Sequence, residues 1–298
     1  MFLFLTNANS KLGFGHLRRC EYLKKELDKK KIKSHILNDS KRINLENIKR
    51  FIQKKKIKII LIDDYRYKKN HRKFFKNLEC HIIQLNYFYD NDEYIDICIN
   101  HLKKQSKKMI VLNSLKNIII RPFQSLKLRK QNRVLIYFSN SDDLNFLKKI
   151  INIIAFYKKN YEINIVNNNK IEKVLLKKNQ ILFKKIKFIN NQKNINSLLA
   201  SSKILISGGG LLCLEAARYN VKNFVIFKNK FQKINSIYLK KSKIISVTQD
   251  RKNFSYPKFI KNFLSLNDKE INFIKIDKKS TFNTAKYLIN YFKKINLI

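Results

Sequence analysis

The sequence predicts an α/β fold with two doubly wound domains, each built on a parallel sheet. Short apolar runs alternate with longer amphipathic stretches along the chain, a pattern typical of strand–helix–strand units with right-handed crossovers. The 298 residues suffice for about two domains of ordinary size. Only 5 Gly and 2 Pro are present, too few for Gly- or Pro-rich architectures or for a sandwich with many tight turns.

The first series of elements forms the predicted N-terminal domain, residues 1–130. The segments MFLFLT and IKIILI are apolar runs with the length of buried strands. After the first of them, an apolar residue recurs every three or four positions, which predicts a helix. The predicted strands are 1–6, 34–37, 57–62, 81–85 and 95–100, and the predicted helices are 17–30, 45–54 and 69–77. We expect residues 102–130 to be irregular.

The second series forms the predicted C-terminal domain, residues 131–298, which begins near the junction at 126–132. Its pattern again alternates apolar runs such as RVLIYF with amphipathic stretches. The predicted strands are 133–138, 161–166, 186–189, 203–206, 223–227 and 244–247. The predicted helices are 143–157, 171–177, 194–200, 211–219, 233–240 and a closing helix over 281–294.

The net charge of +44 comes from 65 Lys plus Arg against 21 Asp plus Glu, and 54 of the basic residues are Lys. Lys is abundant along the whole chain, including within predicted strands and helices, which indicates solvated faces spread over the surface. Nucleic-acid modules more often concentrate Arg and aromatic residues on one face. We therefore expect no specific nucleic-acid partner, but a surface this basic predicts solubility and a weak attraction to anionic surfaces.

The four cysteines fit no zinc-ribbon or redox spacing and are expected to be free, buried thiols. The apolar start of the chain lacks a basic region before it, so it indicates a first strand rather than a signal peptide. No run of eighteen apolar residues exists, so no transmembrane segment is expected. The sequence requires neither a metal nor a cofactor, and we expect a cytoplasmic protein.

The five glycines occupy two places, each after a predicted strand and at the start of a predicted helix. In doubly wound folds this is the edge where ligands bind. The larger cluster, Gly208, Gly209 and Gly210, follows Ser207. Three glycines leave backbone N–H groups available, and the helix from Leu211 directs its positive end to the same place. A diphosphate is the natural occupant.

Glu215 lies one turn into the same helix, within reach of the ribose hydroxyls of a nucleotide. A tight turn followed by a solvated Glu explains the segment SGGG equally well. Neither a GxGxxG fingerprint nor a P-loop motif is present, so the pattern supports neither of those two nucleotide sites.

The smaller cluster, Gly13 and Gly15, is followed directly by His16 in the segment LGFGHLRRC. An imidazole in the first turn of a helix can act as a general acid or base near neutral pH. A single histidine is more often structural, but two of the five glycines stand just before this one at a predicted sheet edge, so we favour a functional role. Arg18 and Arg19 are either ordinary surface charge or, for one of them, support for the phosphate site.

Several segments together resemble one family. GFGHLRRC is similar to the GxGHxxRC signature of the UDP-sugar hydrolases of pseudaminic-acid biosynthesis, which act on UDP-2,4-diacetamido-2,4,6-trideoxy-β-L-altropyranose. These hydrolases are relatives of the lipid II-forming N-acetylglucosaminyltransferase. The segments LIDDY, IDICIN, SGGGLLCLEAA and QKINSIYL resemble further parts of the family in the same order and at similar spacing. The resemblance covers most of the chain and implies two Rossmann-like domains facing a cleft, the glycosyltransferase-B type of fold.

The resemblance also implies a mechanism. UDP would lie on the C-terminal domain with its diphosphate on residues 208–211, and Gln232 and Asn235 would contact the sugar or the diphosphate. His16 would activate water at the anomeric carbon, and UDP would leave with inversion of configuration. Tyr65 matches a family tyrosine near the catalytic water. The other substrate-binding residues that the resemblance implies are Gly13, Gly15, Arg19, Ser207 and Glu215.

We expect a hydrolase with a UDP-sugar as its substrate, and three alternatives stay open. A glycosyltransferase would use the same donor site together with an acceptor, although the first loop, 7–15, is shorter than in the transferase relatives. A polyanion-binding protein would follow from the charge alone. A non-catalytic relative would follow from departures such as Ser-Asn-Ser-Asp at 139–142, where the family has Gly-Gly-Ser-Asp.

Overall fold

The computed structural model describes residues 1–8, 14–39, 43–85, 92–102, 105–138, 144–157, 160–166, 186–189, 194–266 and 276–298. The chain forms two compact units, one made of Met1–Pro122 together with Asp277–Ile298 and the other of Phe123–Ile276. In the described part of the chain, each unit holds one parallel sheet of six strands. The predicted α/β class with two parallel-sheet domains is confirmed.

The first unit is built around strands that are buried on both faces. Its strands are β1 (Phe2–Thr6), β2 (Ser34–Asn38), β3 (Ile59–Asp63), β4 (His81–Leu85), β5 (Ile97–Ile99) and β6 (Ile110–Leu112). They lie in the order β2-β1-β3-β4-β5-β6. Every residue of β1 and β3 is buried, as expected for central strands of a parallel sheet covered by helices.

Helices cover both faces of this first sheet: α1 (Gly15–Asp28), α2 (Leu45–Lys55) and α3 (Lys69–Asn77). α1 packs on the face of Phe2, Phe4 and Leu61, and α2 and α3 pack on the face of Leu3 and Leu5. α2 shows how the sequence sets the bounds of a helix. The side chain of Asn44 accepts a hydrogen bond from the backbone N–H of Asn47, and Lys56 ends the helix in the left-handed conformation.

The second unit repeats this design. Its strands are β7 (Gln131–Tyr137), β8 (Glu162–Val166), β9 (Ile186–Ile189), β10 (Ser202–Ser207), β11 (Lys222–Phe227) and β12 (Val247–Asp250), in the order β12-β11-β10-β7-β8-β9. Its helices are α4 (Leu144–Tyr157), α5 (Ile195–Ser201), α6 (Leu211–Ala217), α7 (Lys230–Lys241) and α8 (Tyr256–Leu264). The order of the strands places β10 beside both β7 and β11.

The closing helix, α9 (Ser280–Lys294), packs in the first unit. Leu288 and Phe292 are fully buried there, and the rings of Phe292 and Phe2 meet edge to face with their centroids 5.7 Å apart. The units therefore differ from the predicted ranges 1–130 and 131–298. From its position along the chain, α9 was assigned to the second domain. Its apolar face instead completes the core of the first unit.

Three local elements also differ from the predictions. The predicted strand 244–247 has the wrong bounds, because β12 begins only at Val247. Ile244 instead donates its N–H to the carbonyl oxygen of Leu239 near the end of α7. The predicted irregular region contains β6, and α8 was not predicted. The predicted helix 171–177 lies outside the described residues.

All four cysteines are buried thiols that belong to no disulfide bond, which confirms that prediction. None of the helices in the described ranges combines the length and the apolar character needed to cross a membrane.

Candidate functional site

The carboxyl ends of β1 and β3 are neighbours, because the two parallel strands pair with Thr6 opposite Asp63. His16 is the second residue of α1, the helix that follows β1. This topology brings an imidazole from the first turn of a helix to a carboxylate at the end of an adjacent strand.

Three side chains form a connected group at this edge. The Nδ1 atom of His16 lies 2.8 Å from the Oδ1 atom of Asp63. Arg19, one turn further along α1, donates from Nη2 to Oδ1 of Asp63 at 2.6 Å and from Nε to Oδ2 at 2.9 Å. Arg19 and Asp63 are buried, whereas about a third of the His16 side chain (36%) is exposed.

The contacts of His16 select one tautomer of its ring. The ionised Asp63 can only accept hydrogen bonds, so the Nδ1 atom of His16 carries the proton and donates it. The Nη2 atom of Arg19 lies 3.0 Å from the same Nδ1 atom, but its hydrogen bond goes to Asp63. The Nε2 atom of His16 therefore keeps its lone pair, which suits a general base.

Asp63 stays ionised in spite of its position in the interior. Burial alone would raise the pKa of Asp63, but the charges and hydrogen bonds of Arg19 and His16 outweigh burial and hold this pKa below its ordinary value. A fixed carboxylate then stands beside the imidazole of His16.

Arg19 has a place that the sequence did not predict. The resemblance assigns it to the substrate, and in the structure its guanidinium is buried against Asp63. The bidentate pair explains this position, since both oxygens of a buried carboxylate need donors. Arg19 is a counter-charge that holds Asp63 in the structure.

Tyr65 follows Asp63 by two residues, and 63% of its surface is exposed. The residues on either side fix the chain around it. Arg66 donates from Nε and Nη2 to Asp64 at 3.0 and 2.8 Å, and it also contacts the carbonyl oxygen of Asp39. The phenol of Tyr65 is therefore presented to solvent from a well-anchored turn.

The glycines near His16 give less information. A Cβ atom on Gly15 would meet no atom within 4 Å, so packing does not require a glycine at that position. Gly13 lies outside the described residues.

The larger glycine cluster lies at the carboxyl end of β10, in the second unit. Gly209 has a φ of +80°, in the left-handed region that favours glycine. A Cβ atom on Gly209 would lie 2.8 Å from the Oγ atom of Ser236 and 2.9 Å from Cγ1 of Val225, too close for any side chain. The loop is therefore shaped around a glycine at this position.

Two predicted site residues at the start of α7 lie against this loop. The Nδ2 atom of Asn235 donates to the carbonyl oxygen of Gly209 at 3.1 Å. The Oε1 atom of Gln232 accepts from the N–H of Lys228 at 2.8 Å, and its Nε2 atom lies 3.9 Å from where a Cβ of Gly208 would be. The structure thus brings together residues that are more than twenty positions apart in the sequence.

The start of α6 is open. Gly210 precedes the helix, and a Cβ atom there would meet nothing within 4 Å. Within the described residues no side chain caps the helix, and in its first turn the N–H of Cys213 donates to the carbonyl oxygen of Gly210. Ser207 is buried with its Oγ atom 3.1 Å from Sγ of Cys213, and Glu215 is buried as well.

Sequence reasoning missed Asp63 as a site residue. Its signal was present, because LIDDY places an acidic residue at the end of a buried strand next to β1. Only the pairing of β1 with β3 links that residue to His16. The departure at 139–142 lies outside the described residues.

No protein-family model matches the chain. Among curated proteins it is similar to the uncharacterized protein MJ1062 of Methanocaldococcus jannaschii, with 23% identity in an alignment that covers 80% of this chain and 58% of that protein. The chain thus spans less than two thirds of the length of this relative.

Solved structures show the same fold at low sequence identity. The glycotransferase of kitacinnamycin matches with a TM-score of 0.67 and 9% identity, covering 97% of this chain and 98% of that one. MurG of Acinetobacter baumannii matches with a TM-score of 0.61 and 10% identity, covering 98% of this chain and 99% of that one. The UDP-GlcNAc 2-epimerase of M. jannaschii, in complex with UDP-GlcNAc and UDP, matches with a TM-score of 0.65 and 12% identity. The match covers 97% of this chain and 100% of that one. The predicted glycosyltransferase-B type of fold is confirmed.

Proposed function

We propose that the chain hydrolyses a UDP-linked 2,4-diacetamido-trideoxy sugar to the free sugar and UDP, in the biosynthesis of a nonulosonic acid of the pseudaminic type. The observation that carries this proposal is the pair of His16 and Asp63. A partly exposed imidazole whose Nδ1 atom is held by a buried carboxylate has the arrangement of a general base. The resemblance of GFGHLRRC to the hydrolase signature supports the choice of substrate.

In the proposed reaction, the Nε2 atom of His16 takes a proton from a water molecule. The water oxygen forms a bond to the anomeric carbon while the bond from that carbon to the UDP oxygen breaks, with inversion. Asp63 keeps the ring of His16 in the reactive tautomer, and Arg19 keeps Asp63 ionised. Tyr65 is proposed to contact the sugar or the attacking water.

We place the UDP part of the substrate on the glycine loop of the second unit. The uncapped start of α6 and the open space beside Gly210 suit a diphosphate. The structural likeness to an epimerase solved with UDP-GlcNAc and UDP supports a UDP-sugar as the ligand. Contact of Gln232 and Asn235 with the substrate, and of Glu215 with the ribose, belongs to the proposal.

A glycosyltransferase is the second candidate, because the fold is shared with the glycotransferase of kitacinnamycin. In that case an acceptor hydroxyl would replace the water, and His16 would remove its proton. The two candidates differ in a single requirement, the presence of an acceptor.

The test is to incubate the protein with the diacetamido UDP-sugar without an acceptor and to follow the anomeric signal and UDP by NMR. His16→Phe is the test variant, and His35→Phe, on β2, is the control. Turnover by the wild type and the control, with none by His16→Phe, is the expected result. UDP binding without turnover would favour a transferase or another sugar, and a new UDP-sugar would indicate an epimerase. Absence of UDP binding would remove the glycine loop from the proposal.

A further inference from the structure

A cleft of about 900 Å³ lies on the second unit at the amino-terminal edge of its sheet. The residues that line it precede or begin four adjacent strands, β11, β10, β7 and β8, or end α4. The glycine loop lies at the other end of β10. Since a strand rises about 3.3 Å per residue, the six residues of β10 separate the two places by roughly 17 Å. The cleft is therefore distinct from the proposed UDP site.

The described lining of the cleft is basic. It contains Lys130, Lys203 and Lys222 and no acidic residue. Lys130 donates to the carbonyl oxygens of Leu199 and Ser202, at 3.1 and 2.6 Å, and Lys203 donates to the amide oxygen of Asn132 at 2.7 Å. These acceptors are neutral, so they leave the positive charges in place.

Lys130 shows the effect of positive charge that no carboxylate in the described lining balances. Burial lowers the pKa of Lys130 to about 8, because its ammonium loses water and gains only carbonyl oxygens. An anion in the cleft would supply the missing negative charge.

Two aromatic side chains lie beside the lysines at the end of α4. Phe156 is 65% exposed and Tyr157 is 42% exposed, and their rings meet edge to face with centroids 4.9 Å apart. Together the two adjacent exposed rings form a small apolar patch. Next to ammonium groups, they offer a face on which a planar ring can stack.

We propose that this cleft binds a small phosphorylated molecule that carries a planar ring, of the size of a nucleoside monophosphate. The phosphate contacts Lys130 and Lys203, and the ring stacks on Phe156 or Tyr157. The volume is within the range of ordinary small-molecule sites. This site does not depend on the hydrolase proposal, because none of its residues belongs to that machinery.

The test is a calorimetric titration with three probes. AMP offers a phosphate and a ring, ribose 5-phosphate offers the phosphate alone, and adenosine offers the ring alone. We expect AMP to bind most tightly. Lys203→Gln should lower the affinity for AMP and for ribose 5-phosphate about tenfold. Phe156→Ala should lower the affinity for AMP about tenfold and leave the affinity for ribose 5-phosphate unchanged.

Both substitutions are at exposed side chains, so the fold is expected to persist, and circular dichroism checks this. Lys258→Gln, an exposed lysine at the start of α8, is the matched control and should bind AMP like the wild type. Failure of AMP to bind at millimolar concentration would overturn the proposal. Binding that both cleft variants leave intact but that Gly210→Val abolishes would also overturn it, since the nucleotide would then be on the glycine loop.

Discussion

Asp63 remains a buried carboxylate because Arg19 donates to both of its oxygens and His16 donates to one of them. The three side chains depend on one another. Without the carboxylate, the buried guanidinium of Arg19 loses the two oxygens to which it donates, and His16 loses the group that sets its tautomer. The properties of the site at the residue scale therefore centre on Asp63, although His16 carries the proposed chemistry.

We predict that Asp63→Asn lowers kcat for the proposed hydrolysis by about 10³- to 10⁴-fold. An amide can donate to the Nδ1 atom of His16, which would move the ring proton to Nε2 and remove the base. Calorimetry should show unchanged UDP affinity. Asp28→Asn, at the exposed end of the same α1 helix, serves as the control and should keep full activity. Normal turnover by Asp63→Asn would contradict the assigned role.

The lowered pKa of Asp63 predicts a pH dependence of stability. A carboxyl whose pKa is lower in the folded state stabilises the protein above its unfolded value of 3.8, and this contribution is lost as the pH falls through the folded pKa, below 3.8. At pH 7, Asp63→Asn should reduce the free energy of unfolding by about 3–5 kcal/mol. Denaturant titrations of both proteins at several pH values should show this difference shrinking below pH 3.8, and a constant difference would argue against it.

What the sequence predicted at this scale depended on how local the signal was. His16 directly follows Gly13-Phe14-Gly15 at a strand–helix junction, so its own neighbours identify it. Asp63 becomes a site residue only through the pairing of β1 with β3, and the same pairing brings it to Arg19. Interactions across the sheet are set by tertiary pairing, which single-sequence patterns do not encode.

At the scale of elements, the glycine loop combines two glycines with different requirements. Gly209 is held by a left-handed backbone and by Ser236 and Val225, whereas Gly210 faces open space. The loop is therefore rigid at its centre and open at the position next to α6. A phosphate site needs both properties, because N–H groups must be fixed and accessible.

Alanine substitutions should separate these two glycines. Gly209→Ala places a methyl group against Ser236 and Val225 at positive φ, and we expect a loss of about 1–3 kcal/mol in the free energy of unfolding. Gly210→Ala meets no neighbour and should change stability by less than about 0.5 kcal/mol. Urea unfolding of both variants measures the contrast, and equal effects would show that the loop is not shaped as described.

Several predicted elements agree closely with the structure. β4 and α3 have the predicted bounds, and α9 differs by one residue at its start. One error arose because Ile244 and Ile245 are buried in the turn after α7 rather than in a strand. Both donate their N–H groups to the carbonyl oxygen of Leu239. β6 has only three residues and forms the end of its sheet, so its period is too short to read.

At the scale of the whole molecule, the first unit is discontinuous in sequence and the second is continuous. α9 supplies Leu288 and Phe292 to the core that holds Phe2 and Cys20. The stability of the first unit therefore depends on the far end of the chain. The length predicted two domains, but their division could not be predicted because it depends on which sheet an amphipathic helix covers.

Phe292→Ala should destabilise the first unit by about 3–5 kcal/mol, since the ring is fully buried. The buried thiols report on each unit separately, because Cys20, Cys80 and Cys98 belong to the first and Cys213 to the second. We expect the variant to label faster with a thiol reagent at the first three cysteines and at an unchanged rate at Cys213. Phe156→Ala, which removes an exposed ring, is the control. Uniformly faster labelling would mean that the units do not unfold independently.

The return of the chain to its first unit at Asp277 also affects how the protein is made. A ribosome releases a chain from its amino end, and domains usually fold in that order. Here the first unit is synthesised first but completed last, because α9 is translated only after the whole of Phe123–Ile276. During that interval the surface around Phe2 and Leu23 is uncovered, and the middle of the chain can complete its own core first. Assembly in the cell would proceed from the middle of the chain outward.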